Sequence, residues 1–130
     1  MKRVLQPSHW PRPRGYANGI EAQGRQVFVA GMVGWTPEGR FESDELVPQV
    51  RQALANVRAV LYEAGATPAH LVRVTWYLVD RREYVARAGE IGAAWREIMG
   101  HYDVAMTAVQ VVALVEERAR VEIEATAVVP

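Results

Sequence analysis

Hydrophobic and polar residues alternate along the last third of the chain with the period of two that is typical of a β-strand. Within residues 120–129, apolar side chains occupy every second position, at Val121, Ile123, Ala125 and Ala127. This pattern predicts a strand with one buried face. The preceding segment, 105–114, is apolar on both faces apart from Gln110. It predicts a strand that is covered on both sides.

Two other segments repeat apolar residues at the three-to-four spacing of a one-sided helix. The first begins near Val47, carries Pro48 in its first turn and stops at Gly65. Its apolar stripe consists of Val47, Val50, Leu54, Val57, Leu61 and Ala64. The second spans residues 83–99, with Tyr84, Ala88, Ile91, Trp95 and Met99 on one face.

The remaining segments complete the expected order of elements. Residues 16–21 and 25–30 predict a hairpin about a turn at 22–24, residues 31–43 form a loop rich in Gly and Pro, and residues 70–80 predict a strand. The order strand, strand, helix, strand, helix, strand, strand predicts an α+β domain. In this domain, two helices cover one face of a single mixed sheet.

The second face of that sheet also needs an explanation. It would carry one side of the strand 70–80 together with an apolar side of segment 105–114, an apolar patch larger than monomers usually expose. We therefore expect a homo-oligomer in which sheets pack against sheets. The alternative is a monomer whose antiparallel sheet is wet on one face.

Length and composition limit the classes of function. The 130 residues suffice for one domain, assigned to 15–130, and residues 1–14, with three prolines and four basic residues, form an extended N-terminal arm or a frayed tail. Fifteen basic and fifteen acidic residues balance, which argues against nucleic-acid and membrane partners. The chain has no cysteine and no signal-peptide or membrane-spanning pattern, so we expect a cytoplasmic protein.

Four short segments resemble motifs of one known family. Residues 14–19 (RGYANG) resemble its G-P-Y-x-x-G motif, and residues 27–32 (VFVAGM) resemble its hydrophobic-S-G-Q motif. Residues 49–57 (QVRQALANV) and 121–125 (VEIEA) resemble its Q-x-R-Q-x-L-x-N-V and I-E-I-E-A motifs. In this order, they resemble the RidA/YjgF reactive-intermediate deaminases, also called endoribonuclease L-PSP. The resemblance implies a chorismate-mutase-like fold and a homotrimer with a sheet-lined central barrel, outer helices and ligand clefts between subunits.

The resemblance carries the family's chemistry over only in part. In family deaminases the penultimate strand opens with P-A-R-S/T, whose arginine binds the substrate carboxylate through paired donors. Here Met106, followed by Thr107, occupies that position, and a thioether offers an apolar wall instead of a cation. The family's serine, cysteine-type residue and helical asparagine are replaced by Ala30, Ala108 and, on or near its position, Ala88. The pattern resembles divergent branches of the family.

Two functional positions of the family are retained, Glu122 and Tyr16. In an imine hydrolase, Glu122 could activate the attacking water and return a proton. Alternatively, Glu122 lies on a solvated face and pairs with Arg120 or Arg73. Tyr16 could close the cleft from a neighbouring subunit, or cap the core with its hydroxyl in water.

Other candidate residues are weaker. Arg14 could supply a substitute positive charge at the cleft or be an exposed residue of the arm, and Trp35 could wall the pocket or simply pack within its loop. His101 is more typical of a loop residue than of a base. The three histidines lack metal-ligand spacing and no cofactor motif is present, so we expect neither metal nor cofactor.

Three functions remain open. The first is hydrolysis of a small imine or enamine at a cleft between subunits, with Met106 and Trp35 forming an apolar wall and a substrate larger or less acidic than usual. The second is non-catalytic binding of a metabolite, or regulation of a partner enzyme, through the same cleft. The third is a ribonuclease, which the balanced charge disfavours.

Overall fold

Six strands and three helices make up the fold in the computed structural model, which describes residues 1–130. In chain order they are β1 (Lys2–Leu5), β2 (Gly19–Ala22), β3 (Arg25–Met32), α1 (Leu46–Glu63), β4 (Leu71–Leu78), α2 (Arg81–Ala86), α3 (Ala88–Met99), β5 (Ala105–Gln110) and β6 (Val121–Val129). A short 3-10 turn, Pro68–His70, precedes β4.

The main sheet has four strands in the order β3-β6-β4-β5. Strand β6 pairs antiparallel with β3 and β4, whereas β4 and β5 are parallel, so the sheet is mixed as predicted. Helices α1 and α3 pack together, and α1 covers β3 and β6. The α+β fold with helices on one face of a mixed sheet is therefore confirmed.

The hydrophobic core lies between this sheet and the helices. The four alternating apolar side chains of β6 are all at most 5% exposed, which confirms the period-two interpretation. Helix α1 contributes seven buried residues, namely Leu46, Gln49, Val50, Ala53, Leu54, Val57 and Leu61. Each fully buried leucine or valine stabilises the fold by about 1.5–3 kcal/mol relative to an exposed one.

Helix α1 ends where its sequence predicts. Its C-cap residue is Ala64, and Gly65 follows with a φ angle of +70°, in the left-handed region that glycine adopts without steric cost. Pro48 lies in the first turn, where its missing N–H removes no intrahelical hydrogen bond.

The predicted hairpin between residues 16–21 and 25–30 is wrong. Strand β2 pairs antiparallel with β1, with Leu5 opposite Gly19 and Lys2 opposite Ala22, and this two-stranded ribbon is separate from the main sheet. Strand β3 pairs with β6 instead. The first residues of the predicted arm thus supply a strand, because their backbone groups satisfy those of β2.

The predicted second helix is two helices. Asp80 starts α2 two residues earlier than expected, since its carboxylate accepts hydrogen bonds from the backbone N–H groups of Arg82 and Glu83 at 3.0 and 3.3 Å. The chain then leaves helical geometry at Arg87 (φ −102°, ψ 14°) before α3 begins. Gly89, in the first turn after the break, has a low helix propensity. The protein therefore has three helices instead of two.

The predicted strand 105–114 is shorter and lies at the edge of the sheet. Its pairing with β4 ends at Leu78 opposite Gln110, and the N–H of Val111 makes the last bond, to the carbonyl of Leu78 at 2.9 Å. Beyond that point β4 offers no further partner. Met106 packs against the core, whereas Val109 is 40% exposed, so within one chain this strand is covered on one face only.

Candidate functional site

A cleft lies on the helical side of the sheet, at the β5 edge. It has a volume of about 680 Å³ and is bordered by β4, β5, α2, α3 and two loop segments, 13–16 and 100–103. We call it the edge cleft.

Three predicted site residues, Arg14, Tyr16 and Met106, line the edge cleft. The N–H of Ala17 donates to the carbonyl of Val104 at 2.8 Å, and this bond fixes the chain beside the start of β5. Tyr16 is consequently held next to Met106, with 42% of its surface exposed. Met106 is half-buried and supplies an apolar wall.

The floor of the edge cleft is aromatic. Trp76 of β4 lies between Tyr84 of α2 and Trp95 of α3, with ring centroids 6.0 and 6.1 Å from its own. Burial raises the pKa of the Tyr84 phenol, so its hydroxyl stays protonated. The alternation of β4 and the helical spacing of 83–99 predict that these three residues belong to the core. Only the fold shows that they also line a cleft.

The Trp76 indole has an unsatisfied group. Its Nε1 is the one buried side-chain nitrogen or oxygen of the chain that has no hydrogen-bond partner. Leaving a buried donor unpaired costs about 1–3 kcal/mol. Because this nitrogen is buried, it lies beneath the surface of the cleft floor.

The face of the sheet away from the helices, here called the open face, carries the remaining candidates. Its alternating residues on β4 and β6 are Arg73, Thr75, Tyr77, Glu122, Glu124 and Thr126. Glu122 lies above Gly31: a Cβ atom at position 31 would overlap Oε2 and come within 2.9 Å of Cδ. The Glu122 carboxylate forms none of the ion pairs of the chain, and Arg120 pairs with Glu83 at 3.1 Å instead.

A tyrosine–carboxylate pair lies beside Glu122. The Tyr77 hydroxyl donates to Oε1 of Glu124 at 2.5 Å. This hydrogen bond is the main reason why the pKa of Tyr77 is raised above its ordinary value of 10.0, and the negative charges of Glu124 and Glu122 add to the shift.

The other predicted residues do not line the edge cleft. Ala30 borders a shallow depression on the open face together with Phe28 and Glu124, and Thr107 is exposed on β5. Trp35 packs edge-to-face against Phe41 at 6.2 Å, as the loop-packing interpretation expects. Within one chain, the predicted site is therefore split between opposite faces of the sheet.

Sequence reasoning missed Arg96, which lines the edge cleft. It gave His101 a loop role, yet His101 lines the same cleft. The sequence carried little signal for Arg96, because the residue that follows Trp95 on a helix does not share its face. No group of three or more His, Cys, Asp or Glu side chains is placed to hold a metal ion. None of the helices combines the length and hydropathy needed to cross a bilayer.

Comparison with known proteins agrees with this architecture. A RutC family protein from Pyrococcus horikoshii is 34% identical over 129 residues, covering 98% of each chain. A 2-iminobutanoate/2-iminopropanoate deaminase from Capra hircus is 27% identical over 129 residues, covering 98% of this chain and 90% of the relative. The crystal structure of YyfB from Yersinia pestis, described as a conserved Rid family protein, superposes with a TM-score of 0.84 at 34% identity, covering 98% of both chains.

The family-level match extends over the whole domain. The family model described as Endoribonuclease L-PSP matches residues 10–129, which include both the edge cleft and the open face. Together with the fold and the relatives above, this match shows that the chain belongs to the RidA/YjgF family.

Proposed function

We propose that the protein is a homotrimeric hydrolase that converts a small reactive imine, or the enamine that tautomerises to it, into a carbonyl compound and ammonia. The deaminase relatives from Capra hircus and Mus musculus support the reaction class, since their names specify 2-imino acids as substrates. The working site would be a cleft between two subunits, formed by the edge cleft of one and the open face of the next.

One observation carries this proposal. Tyr16 and Met106 lie on the helical side of the sheet, and Glu122 lies on the open face. No movement of side chains brings groups on opposite faces of a sheet together within one chain. A second copy that packs its open face against the first would bring its Glu122 to the edge cleft, and closed symmetry would repeat this contact around a ring.

The reaction needs one group that can accept and return a proton. Water attacks the imine carbon, its proton passes to the Glu122 carboxylate, and the electron pair of the C=N π bond moves to nitrogen. The Glu122 carboxylic acid returns this proton to nitrogen, which gives the neutral carbinolamine. The hydroxyl proton then passes to nitrogen through the same carboxylate, the C–N bond breaks, and ammonia leaves as the C=O bond forms. Glu122 suits this role because its carboxylate is not engaged in an ion pair with an arginine or a lysine.

Substrate specificity would differ from that of typical members. Met106 stands where the family's arginine binds a carboxylate, and it presents an apolar surface to the cleft. The proposed substrate is therefore larger or less acidic than the imine of a small amino acid.

The test compares two carboxylates on one strand and one face. Imines are generated in the cuvette from amino acids by a dehydratase or an oxidase, and release of the 2-oxo acid is timed against the uncatalysed rate. Glu122→Gln should abolish the acceleration, whereas Glu124→Gln, which keeps an acceptor for Tyr77, should retain most of it. Uncatalysed decay with wild-type protein across small and bulky imines would refute the hydrolase.

A second candidate function is non-catalytic binding of a metabolite. The specific observation in its favour is the replacement of polar family residues by Ala30, Ala88 and Ala108, together with Met106. Under this alternative, Glu122→Gln would bind the ligand as tightly as wild type, and neither protein would turn it over.

A further inference from the structure

Two arginines of the edge cleft have no acidic partner. Arg14 and Arg96 both line it, and neither takes part in any ion pair of the chain. The one acidic residue of the lining is Asp103. The two arginines outnumber this single aspartate among the charged side chains of the lining. The cleft is thus left with unbalanced positive charge.

The Arg96 guanidinium lies close to a glycine one turn earlier in α3. A Cβ atom at Gly92 would come within 3.2 Å of the Arg96 Nη1 atom, so the guanidinium lies back along the helix over position 92. Gly92 also lines the cleft. Glycine within a helix costs about 1 kcal/mol relative to alanine. Here it leaves room for the guanidinium beside the aromatic floor.

The floor complements a flat apolar group. Trp76, Trp95 and Tyr84 offer ring faces and edges, and aromatic pairs contribute about 0.5–1.5 kcal/mol beyond simple burial. A cleft of about 680 Å³ is larger than a two- or three-carbon side chain requires.

We propose that the edge cleft binds 2-imino and 2-oxo acids that carry an aromatic side chain, with Arg96, assisted by Arg14, holding the carboxylate. The ring lies against the Trp76–Tyr84–Trp95 floor. Guanidinium groups bind carboxylates through paired donors, so Arg96 supplies from α3 what Met106 cannot supply from β5. This assignment names the substrate class of the proposed function. Turnover of these compounds rests on the proposed function, whereas their binding does not.

The test uses stable compounds, so that it does not depend on turnover. Isothermal titration calorimetry would compare phenylpyruvate, which has both ring and carboxylate, with 2-oxobutanoate, which lacks the ring, and phenylacetone, which lacks the carboxylate. Phenylpyruvate should bind most tightly. Arg96→Met should weaken phenylpyruvate by about tenfold or more, the effect of losing one charge-assisted bond, and leave phenylacetone unchanged.

The matched control is Arg82→Met, because Arg82 is an exposed residue of α2 outside the cleft. This variant should bind all three compounds like wild type. The assignment is overturned if phenylpyruvate binds no better than 2-oxobutanoate, or if Arg96→Met and Arg14→Met both leave its affinity unchanged. If binding requires both the ring and Arg96 but no imine is hydrolysed, the proposed reaction is refuted and the ligand class is supported. If small imines are hydrolysed but phenylpyruvate shows no such binding, the reaction is supported and the aromatic ligand class is refuted.

Discussion

The carboxylate of Glu122 occupies the space that a side chain at Gly31 would need. Gly31→Ala should therefore push the carboxylate into another rotamer without removing it. We expect the rate of imine hydrolysis to fall by about tenfold or more, because catalytic groups tolerate little displacement. The melting temperature should change little, since the far end of a partly exposed side chain can move.

Gly89→Ala in α3 is the matched control for that substitution. A Cβ atom at Gly89 meets nothing within 4 Å, so turnover should be retained and the free energy of unfolding should rise by about 0.5–1 kcal/mol. Equal loss of activity in both variants would show that the effect of Gly31→Ala does not come from displacement of the Glu122 carboxylate. Steady-state kinetics and thermal unfolding decide between these results.

The Tyr77–Glu124 hydrogen bond predicts a loss of stability in alkali. Because the bond to Glu124 raises the pKa of Tyr77, the folded state holds the phenol proton more tightly than the unfolded state does. The contribution is complete below the unfolded value near 10.0 and disappears as the pH rises through the folded value. Chemical denaturation from pH 8 to 11 measures this effect. The free energy of unfolding should fall less steeply with pH for Tyr77→Phe than for wild type. Glu124→Ala should reproduce that shallower curve, and a wild-type slope in both variants would contradict the assignment.

Gln49 is buried in α1 and ties three loop groups together. Its Nε2 donates to the carbonyls of Ser43 and Arg118 at 3.0 and 2.9 Å, and its Oε1 accepts from the N–H of Arg120 at 2.8 Å. Gln49→Leu should lower the free energy of unfolding by about 1–3 kcal/mol, because it leaves part-buried backbone groups unpaired. Urea denaturation measures the loss. Gln52→Leu on the same helix, where the amide bonds only Asn56, should cost under about 1 kcal/mol.

Phe28 on the open face tests the proposed assembly. Its side chain is 71% exposed in the single chain, so Phe28→Asp should hardly disturb the fold of one subunit. If a second copy covers this face, the substitution buries an unpaired carboxylate and should dissociate the assembly. Sedimentation velocity at micromolar concentration reads the outcome. Val85→Asp, on α2 and 69% exposed, should sediment like wild type. A monomeric wild-type protein would refute the proposed site together with the trimer.

The sequence predicted elements whose burial follows a simple period. Val121 to Ala127 and the stripe of α1 repeat along the chain with the spacing that their contacts impose, so their positions could be read directly. Pairing partners could not be read in this way. Whether Gly19–Ala22 pairs with Arg25–Met32 or with Lys2–Leu5 depends on backbone hydrogen bonds, which leave little trace in side-chain type.

The candidate site was predictable only in part for a similar reason. Arg14, Tyr16 and Met106 could be taken from motif positions, but their meeting at one cleft depends on the bond from Ala17 to Val104. Arg96 escaped notice because an arginine on a helix surface is ordinary in sequence. Its place in the lining follows from the packing of Trp95 on α3 against Trp76 on β4.

The division of the site between opposite faces of one sheet has a genetic consequence. In the proposed trimer, an allele defective at Tyr16 and an allele defective at Glu122 spoil different walls of the same cleft. Subunits of the two kinds that assemble at random would leave about one quarter of the clefts with both walls intact. A cell with two such alleles would thus recover activity that neither allele provides alone, whereas two lesions in the same wall would never complement.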